Sequence, residues 1–182
     1  MFPYISLGFF HVIPWGIDHL LFVLCLILAH TKLKPILYAC TLFTIAHSVS
    51  LALAAFHIWV VDARWVEPLI TFSIFGQAIQ YLYFPNRWSL RMPILFAFGL
   101  IHGLGFAGAL AEQALAKTDF FVALFSFNVG VELAQIGFVC LIYFLLVHPF
   151  SNKAKYISHL VRPAYAGIAS IALCWTIARI LW

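Results

Sequence analysis

Asp18 and His19 stand directly against an unbroken apolar run, Leu20 to Ala29, and His11 lies two turns earlier in the stretch HVIPWGIDHLLFVLCLILAH. An ionisable side chain at the centre of a membrane helix costs roughly 2.5–3.5 kcal/mol. Each such group therefore has to be offset by pairing, by protonation or by a bound cation. Three more fall inside apolar runs: His47 in FTIAHS, His102 in GLIHGLG and Glu132 in FNVGVELAQ. Asn128, Glu132 and Gln135 follow an i, i+4, i+7 spacing, which puts them on one helix face. Thr44, one turn before His47, and Ser48, directly after it, add hydroxyls. The imidazoles of His19, His47 and His102 with the carboxylates of Asp18 and Glu132, free of nearby thiolate, suit Ni, Co, Zn, Cu or Fe. Mg and Ca prefer all-oxygen shells. A single membrane histidine is often only hydrogen-bonded to a neighbour; a set of five such groups points to a metal site. His11, one layer outward, joins the metal-binding set from an entry path. Thr44, Ser48, Asn128, Gln135 and Glu67 are expected as supporting or pathway residues.

These residues have to be positioned by membrane-spanning helices. Of the 182 residues, 65% are hydrophobic and 9% charged, against about 25% charged in a soluble domain. Such a chain cannot cover a water-facing surface, so an all-α integral membrane protein with a single transmembrane domain is expected. Six apolar segments are legible, at 7–29 (kinked near Pro14 and Gly16), 35–56, 67–84, 92–115, 120–147 and 160–181. Pro68 suits the first turn of the third. The cysteines Cys25, Cys40, Cys140 and Cys174 lie inside apolar runs without CxxC spacing and read as small hydrophobes. The many Phe residues read as lipid-facing surface, and Trp15, Trp59, Trp65, Trp88 and Trp182 as interfacial anchors.

Charge gives the orientation. Lys32, Lys34, Arg87, Arg91, Lys153, Lys155 and Arg162 occupy one set of connections; Arg64 and Lys117, beside Asp62, Glu67, Glu112 and Asp119, occupy the other. The positive-inside rule puts the first set in the cytoplasm and both termini on the periplasmic side of a bacterial inner membrane. Arg179 runs against this count and is expected to snorkel from a helix end. Counted at about 1.5 Å per residue, Asp18, His19, His47, His102 and Gln135 then lie about 15–18 Å from the cytoplasmic ends of their helices, near the middle of a core about 30 Å thick. The net charge of +4 is a topology signal, and no nucleic-acid partner is expected.

A shift of 84 positions aligns IDHLLF at 17–22 with IHGLGF at 101–106, and FTIA at 43–46 with FNVG at 127–130. Three spans separate the copies, the pattern of a 3+3 inverted repeat with a midplane site.

The blocks HVIPWGIDHLLFVLCLIL, FTIAHSVSLALA, VEPLITFSI, FGLIHGLGFAGALAE and FNVGVELAQI resemble, in order, those of the HupE/UreJ family of small multi-pass bacterial membrane proteins. The resemblance implies a nickel or nickel/cobalt permease, with His11, Asp18, His19 and His102 as metal-handling positions. Two features depart from the nickel-linked members. Six residues rather than five separate His11 from Asp18, and Phe106 and Ala109 stand where a second His and a Glu are usual. The resemblance thus carries metal handling without a particular ion.

Transport of a divalent transition metal (Ni, Co, Zn or Cu) is the leading expectation, with the ion and the lipid bilayer as partners and a homo-oligomer compatible. An intramembrane zinc hydrolase with Glu132 as base is the enzymatic alternative. A metal-binding sensor or assembly factor, and a haem protein lacking CxxCH, rank lower; the chain is expected to be a permease rather than an enzyme.

Overall fold

In a computed structural model of the chain, residues 1–59, 61–84, 88–105, 120–151 and 155–181 are described, and every regular element among them is helical. They are α1 (Phe2–Val12), α2 (Ile17–Leu28), α3 (Leu33–Ala55), α4 (Ala63–Tyr83), α5 (Trp88–Leu104), α6 (Phe120–Phe150) and α7 (Ile157–Leu181). The last part of the expected fourth span, 106–115, lies outside the described residues, as do Arg87, Glu112, Lys117, Asp119 and Lys153.

The first expected span is two helices, not one kinked helix. Proline disfavours the helical conformation in the residue before it, and Ile13, at φ −125° and ψ 117°, is extended. Gly16 then caps α2, and the two helices meet at 70°. Asp18 falls in the first turn of α2, where a carboxylate complements the positive end of the helix dipole. The third span also starts earlier than its apolar run. Asp62 accepts the Arg64 backbone N–H at 3.0 Å and caps α4, so the helix begins before Pro68 and carries that proline inside it. His57, at φ 57°, takes the left-handed conformation just beyond α3. Near its C-terminus α6 widens into π-type turns at Tyr143–Val147, and α7 opens with the same geometry at Ile157–Val161.

Packing is pairwise around a central element. α3 lies against α5 and α6, α4 against α7, and α1 against α6, while α2 touches α1, α3, α4, α6 and α7. A helix apolar on all sides belongs in the interior, and α2 buries His19, Phe22, Val23, Cys25, Leu26, Ile27 and Leu28. Phe22, Ile36, Phe43 and Cys40 form the core around it. Outward faces are covered by large apolar side chains such as Ile45, Phe72, Phe125, Leu141 and Ile177; an apolar surface of this extent marks a membrane contact. α3, α6 and α7 are long and apolar enough to span a bilayer, and the bent α1–α2 pair makes a fourth span if counted as one; α5 is shorter. All four cysteines are free thiols, with Cys25 and Cys40 buried.

Candidate metal centre

Three helices bring histidines to one point. His11 comes from the last turn of α1, His19 from the first turn of α2 beyond the Pro14 break, and His47 from the middle of α3. One nitrogen from each lies within 4.8 Å of the others. Ring centroids stand 4.7 Å apart for His11–His19 and 5.9 Å for His19–His47. A tetrahedral ion with bonds of about 2.0–2.1 Å holds its nitrogens about 3.3–3.4 Å apart, so loading needs a contraction of about 1.5 Å at most. His102 of α5 is the fourth imidazole, its ring 5.4 Å from that of His19.

The tautomer of His102 follows from its partner. Its Nδ1 is 2.8 Å from the Phe98 carbonyl oxygen; a carbonyl only accepts, so Nδ1 carries the proton and Nε2 presents a lone pair. This backbone contact orients a ligand imidazole in the manner usual at metal sites. The Nε2 atoms of His19 and His102 are buried and hydrogen-bond to no described residue. Orphaned lone pairs inside a protein are costly, and a cation satisfies them directly. The donor set therefore fits a transition metal.

Aromatic rings wall the cluster. Phe43 lies 5.0 Å from His102 and 4.5 Å from Phe22, and Phe127 stands 5.4 Å from His11 and stacks on His47 at 6.5 Å. These phenylalanines, expected on the lipid face, instead line the site. The spacing signal was present in the sequence: Phe43 sits one turn before His47.

Asp18 is not turned into this cluster. It accepts from Arg179 Nη2 at 2.9 Å, and Arg179 Nη1 also donates to the Glu67 carbonyl oxygen at 3.2 Å. Arg179, read from sequence as a snorkelling cation, thus braces the mouth of the site. Asp18, Glu67, Arg179 and Trp15 border a cavity of about 460 Å³ whose inner wall is His11, His19 and His102. It opens at the end of the molecule where α4 begins and α5 and α7 end.

Glu132 lies in a different place. Thr41 Oγ1 donates to Glu132 Oε1 at 2.6 Å, and Thr44 Oγ1 donates to Gln135 Oε1 at 3.3 Å. Asn128 neighbours His47 and donates through Nδ2 to the Leu124 carbonyl at 2.8 Å. The 128, 132, 135 face of α6 is thus turned to α3. Thr41, Thr44, Ser48, Asn128 and Glu132 border a second cavity, of about 280 Å³, along that seam. Ser48 itself donates back to the Thr44 carbonyl at 2.7 Å. Thr41, at the centre of this seam, escaped the sequence reading, although it stands three residues before Thr44 and seven before Ser48, a spacing that puts the three hydroxyls on one helix face.

Apolar helices that bury an imidazole cluster between them define a polytopic membrane protein with a candidate metal centre. A family model described as HupE / UreJ protein matches residues 1–179, essentially the whole chain, and the protein belongs to the HupE/UreJ family. That membership makes it a metal-transport-related membrane protein of a family associated with nickel and cobalt. Neither a curated protein nor a solved structure matches the chain.

Proposed function

We propose that the protein is a permease for a divalent transition-metal ion of the Ni, Co, Zn and Cu class, held in transit by His11, His19, His47 and His102. The observation that carries this reading is the convergence of three imidazole nitrogens within 4.8 Å from three separate helices. An all-imidazole set suits these borderline ions, and it leaves the ion less tightly held than a thiolate cage, as passage requires. Asp18 and Glu67 draw the cation into the vestibule. Asn128, Thr44, Gln135, Ser48 and Glu132 form the route beyond His47, along the α3–α6 seam. The positive-inside rule puts the vestibule on the periplasmic side of a bacterial inner membrane, with six crossings and both chain ends outside. A 2+ ion moving inward through 100 mV then gains about 4.6 kcal/mol.

The two halves form an inverted repeat. α1 rests on α6 with Gly8 against the Phe127 carbonyl, and α5 rests on α3 with Gly99 against the Phe43 carbonyl; a Cβ at either glycine would strike that oxygen. Phe43 and Phe127 are the pair matched by the 84-residue shift. GFFH at 8–11 and GLIH at 99–102 make α1, rather than the 17–22 segment of α2, the counterpart of α5. Each glycine seats its helix, and the histidine three residues on enters the site. An inverted pair about a midplane site is a recurring basis for alternating access.

Uptake of Ni, Co and Zn into proteoliposomes tests the reading. Voltage-driven uptake that is lost in His19→Ala and His102→Ala supports it. Flux in those folded variants equal to the parent removes it. The hydrolase reading lacks support here, since its base, Glu132, is bonded to Thr41 on the α3–α6 seam.

A further inference from the structure

At the end of the molecule opposite the vestibule lies a separate cavity of about 410 Å³. It opens where α2, α4 and α6 end and α5 and α7 begin, and none of the histidines of the metal centre lines it. Arg91, Arg162, His30, Ser151 and Tyr156 supply its polar wall. Arg91 is unusual for a cation, only 6% exposed. Its guanidinium sits 4.4 Å above the Tyr81 ring and donates to the Phe84 carbonyl at 3.4 Å. Ring and carbonyl hold the side chain at a fixed place in the wall.

Tyr156 supplies an independent observation. It is 6% exposed, lines the cavity, and its buried hydroxyl hydrogen-bonds to no described residue. Buried hydroxyls are seldom left unbonded. No acidic residue is among the described residues lining the cavity. Two guanidinium groups and a waiting hydroxyl donor around one space, without a carboxylate, make an acceptor-rich anion the complementary ligand. Arginine in particular matches phosphate through paired N–H donors. The remaining walls, Leu28, Leu82 and Val161 among them, are apolar, and the space is far larger than a bare phosphate, so it suits an ester with an organic part. Lys32 and Lys155 lie in the neighbouring connections and Lys34 in the first turn of α3, and a basic pocket between helices at such a face is the usual setting for anionic headgroups.

We propose that this cavity binds a phosphate ester, with Arg91 and Arg162 as charged donors and Tyr156 as the hydroxyl donor. The chemistry is common to a phospholipid headgroup and to a soluble phosphate, and the test separates them. The full-length protein is stripped of lipid in neutral detergent and examined by native mass spectrometry and thermal unfolding. The probes are phosphatidylglycerol, zwitterionic phosphatidylcholine, glycerol 3-phosphate and inorganic phosphate. Losing one charge-assisted bond is expected to weaken retention about tenfold or more in Arg91→Gln and Arg162→Gln, and losing a neutral one about 2- to 10-fold in Tyr156→Phe. Retention of phosphatidylglycerol over phosphatidylcholine, undisturbed by the soluble phosphates, assigns a lipid headgroup. Binding of glycerol 3-phosphate or inorganic phosphate that displaces the lipid assigns a soluble ester. Arg162 is exposed and Tyr156→Phe keeps the ring, so both variants fold. If no probe binds, or if both variants retain every probe as the parent does, the proposal is overturned.

Discussion

Asp18 and Arg179 stand 161 positions apart in sequence and 2.9 Å apart in space, tying the start of α2 to the last turn of α7 at the mouth of the histidine-lined cavity. The pair is partly exposed, at 20% and 30% of the side chains, so it contributes at most about 1 kcal/mol to stability. Its larger effect is on the charge a cation meets on arrival. Asp18→Asn leaves the arginine uncompensated there, and metal uptake falls about tenfold at low ionic strength, with the difference shrinking as salt is added. Arg179→Gln does the opposite, raising the rate of uptake while the unfolding midpoint moves little. Stopped-flow uptake across a salt series reads both.

The histidines and Glu132 separate in their effects. Each of His19→Ala, His47→Ala and His102→Ala removes a proposed ligand and is expected to weaken metal binding by more than the roughly 10–100-fold typical of losing an outer partner. Glu132→Gln keeps the hydrogen bond from Thr41 and leaves the stoichiometry of bound metal unchanged while flux falls. Calorimetry and elemental analysis on purified protein, set beside uptake, distinguish the two classes. Equal loss of binding in Glu132→Gln would return that carboxylate to the ligand set.

Close backbone approach makes two glycines irreplaceable. Gly8→Ala drives a methyl into the Phe127 carbonyl, and Gly103→Ala meets Ser50 and the His47 carbonyl. Overpacking of this kind costs about 1–3 kcal/mol, and at Gly103 it also pushes on the backbone that carries His47. Gly137 has nothing within 4 Å of its Cβ position, so Gly137→Ala stabilises α6 by about 0.5–1 kcal/mol. Thermal unfolding in detergent orders the three variants.

His30, in the connection after α2, is pushed down to about 4 by burial and, secondarily, by Arg91. The unfolded chain takes up this proton near pH 6.5 while the folded chain resists it. Stability is therefore fully present above pH 6.5 and is lost as pH falls from there towards 4. A His30→Asn variant lacks this part of the acid sensitivity, and Arg91→Gln shifts the His30 titration upward. Unfolding midpoints between pH 7 and 4, with an NMR titration of the ring, check the sign.

Much of the architecture could be read from the chain, and the reasons for the shortfall are physical. The 33–55 and 120–150 helices announce themselves by uninterrupted apolar length. The burial of His19, His47 and His102 follows from their place inside such runs, because lipid leaves an imidazole nowhere else to go. Periodicity also placed Asn128, Glu132 and Gln135 on one face of α6. It could not say which helix that face would meet: Thr41 and Thr44 proved to be the partners of Glu132 and Gln135, and of the three only Asn128 neighbours a histidine of the cluster, His47. The Asp18–Arg179 contact joins residues near opposite ends of the chain, a pairing invisible to any local pattern. The corner at Pro14 was legible as a disturbance but not as a 70° turn, since the angle is set by how α1 packs on α6.

That turn has a mechanical consequence. His11 rides on one arm of an elbow and His19 on the other, so the gap between two candidate ligands is controlled by how far the elbow is bent. His19 and His47 are held by α2 and α3, whereas α1 is seated on α6 through Gly8, Val12 and Gly130. A swing of that short arm would spread the imidazole cluster, and it would have to part the close backbone contacts that Gly8 and Gly130 make between α1 and α6.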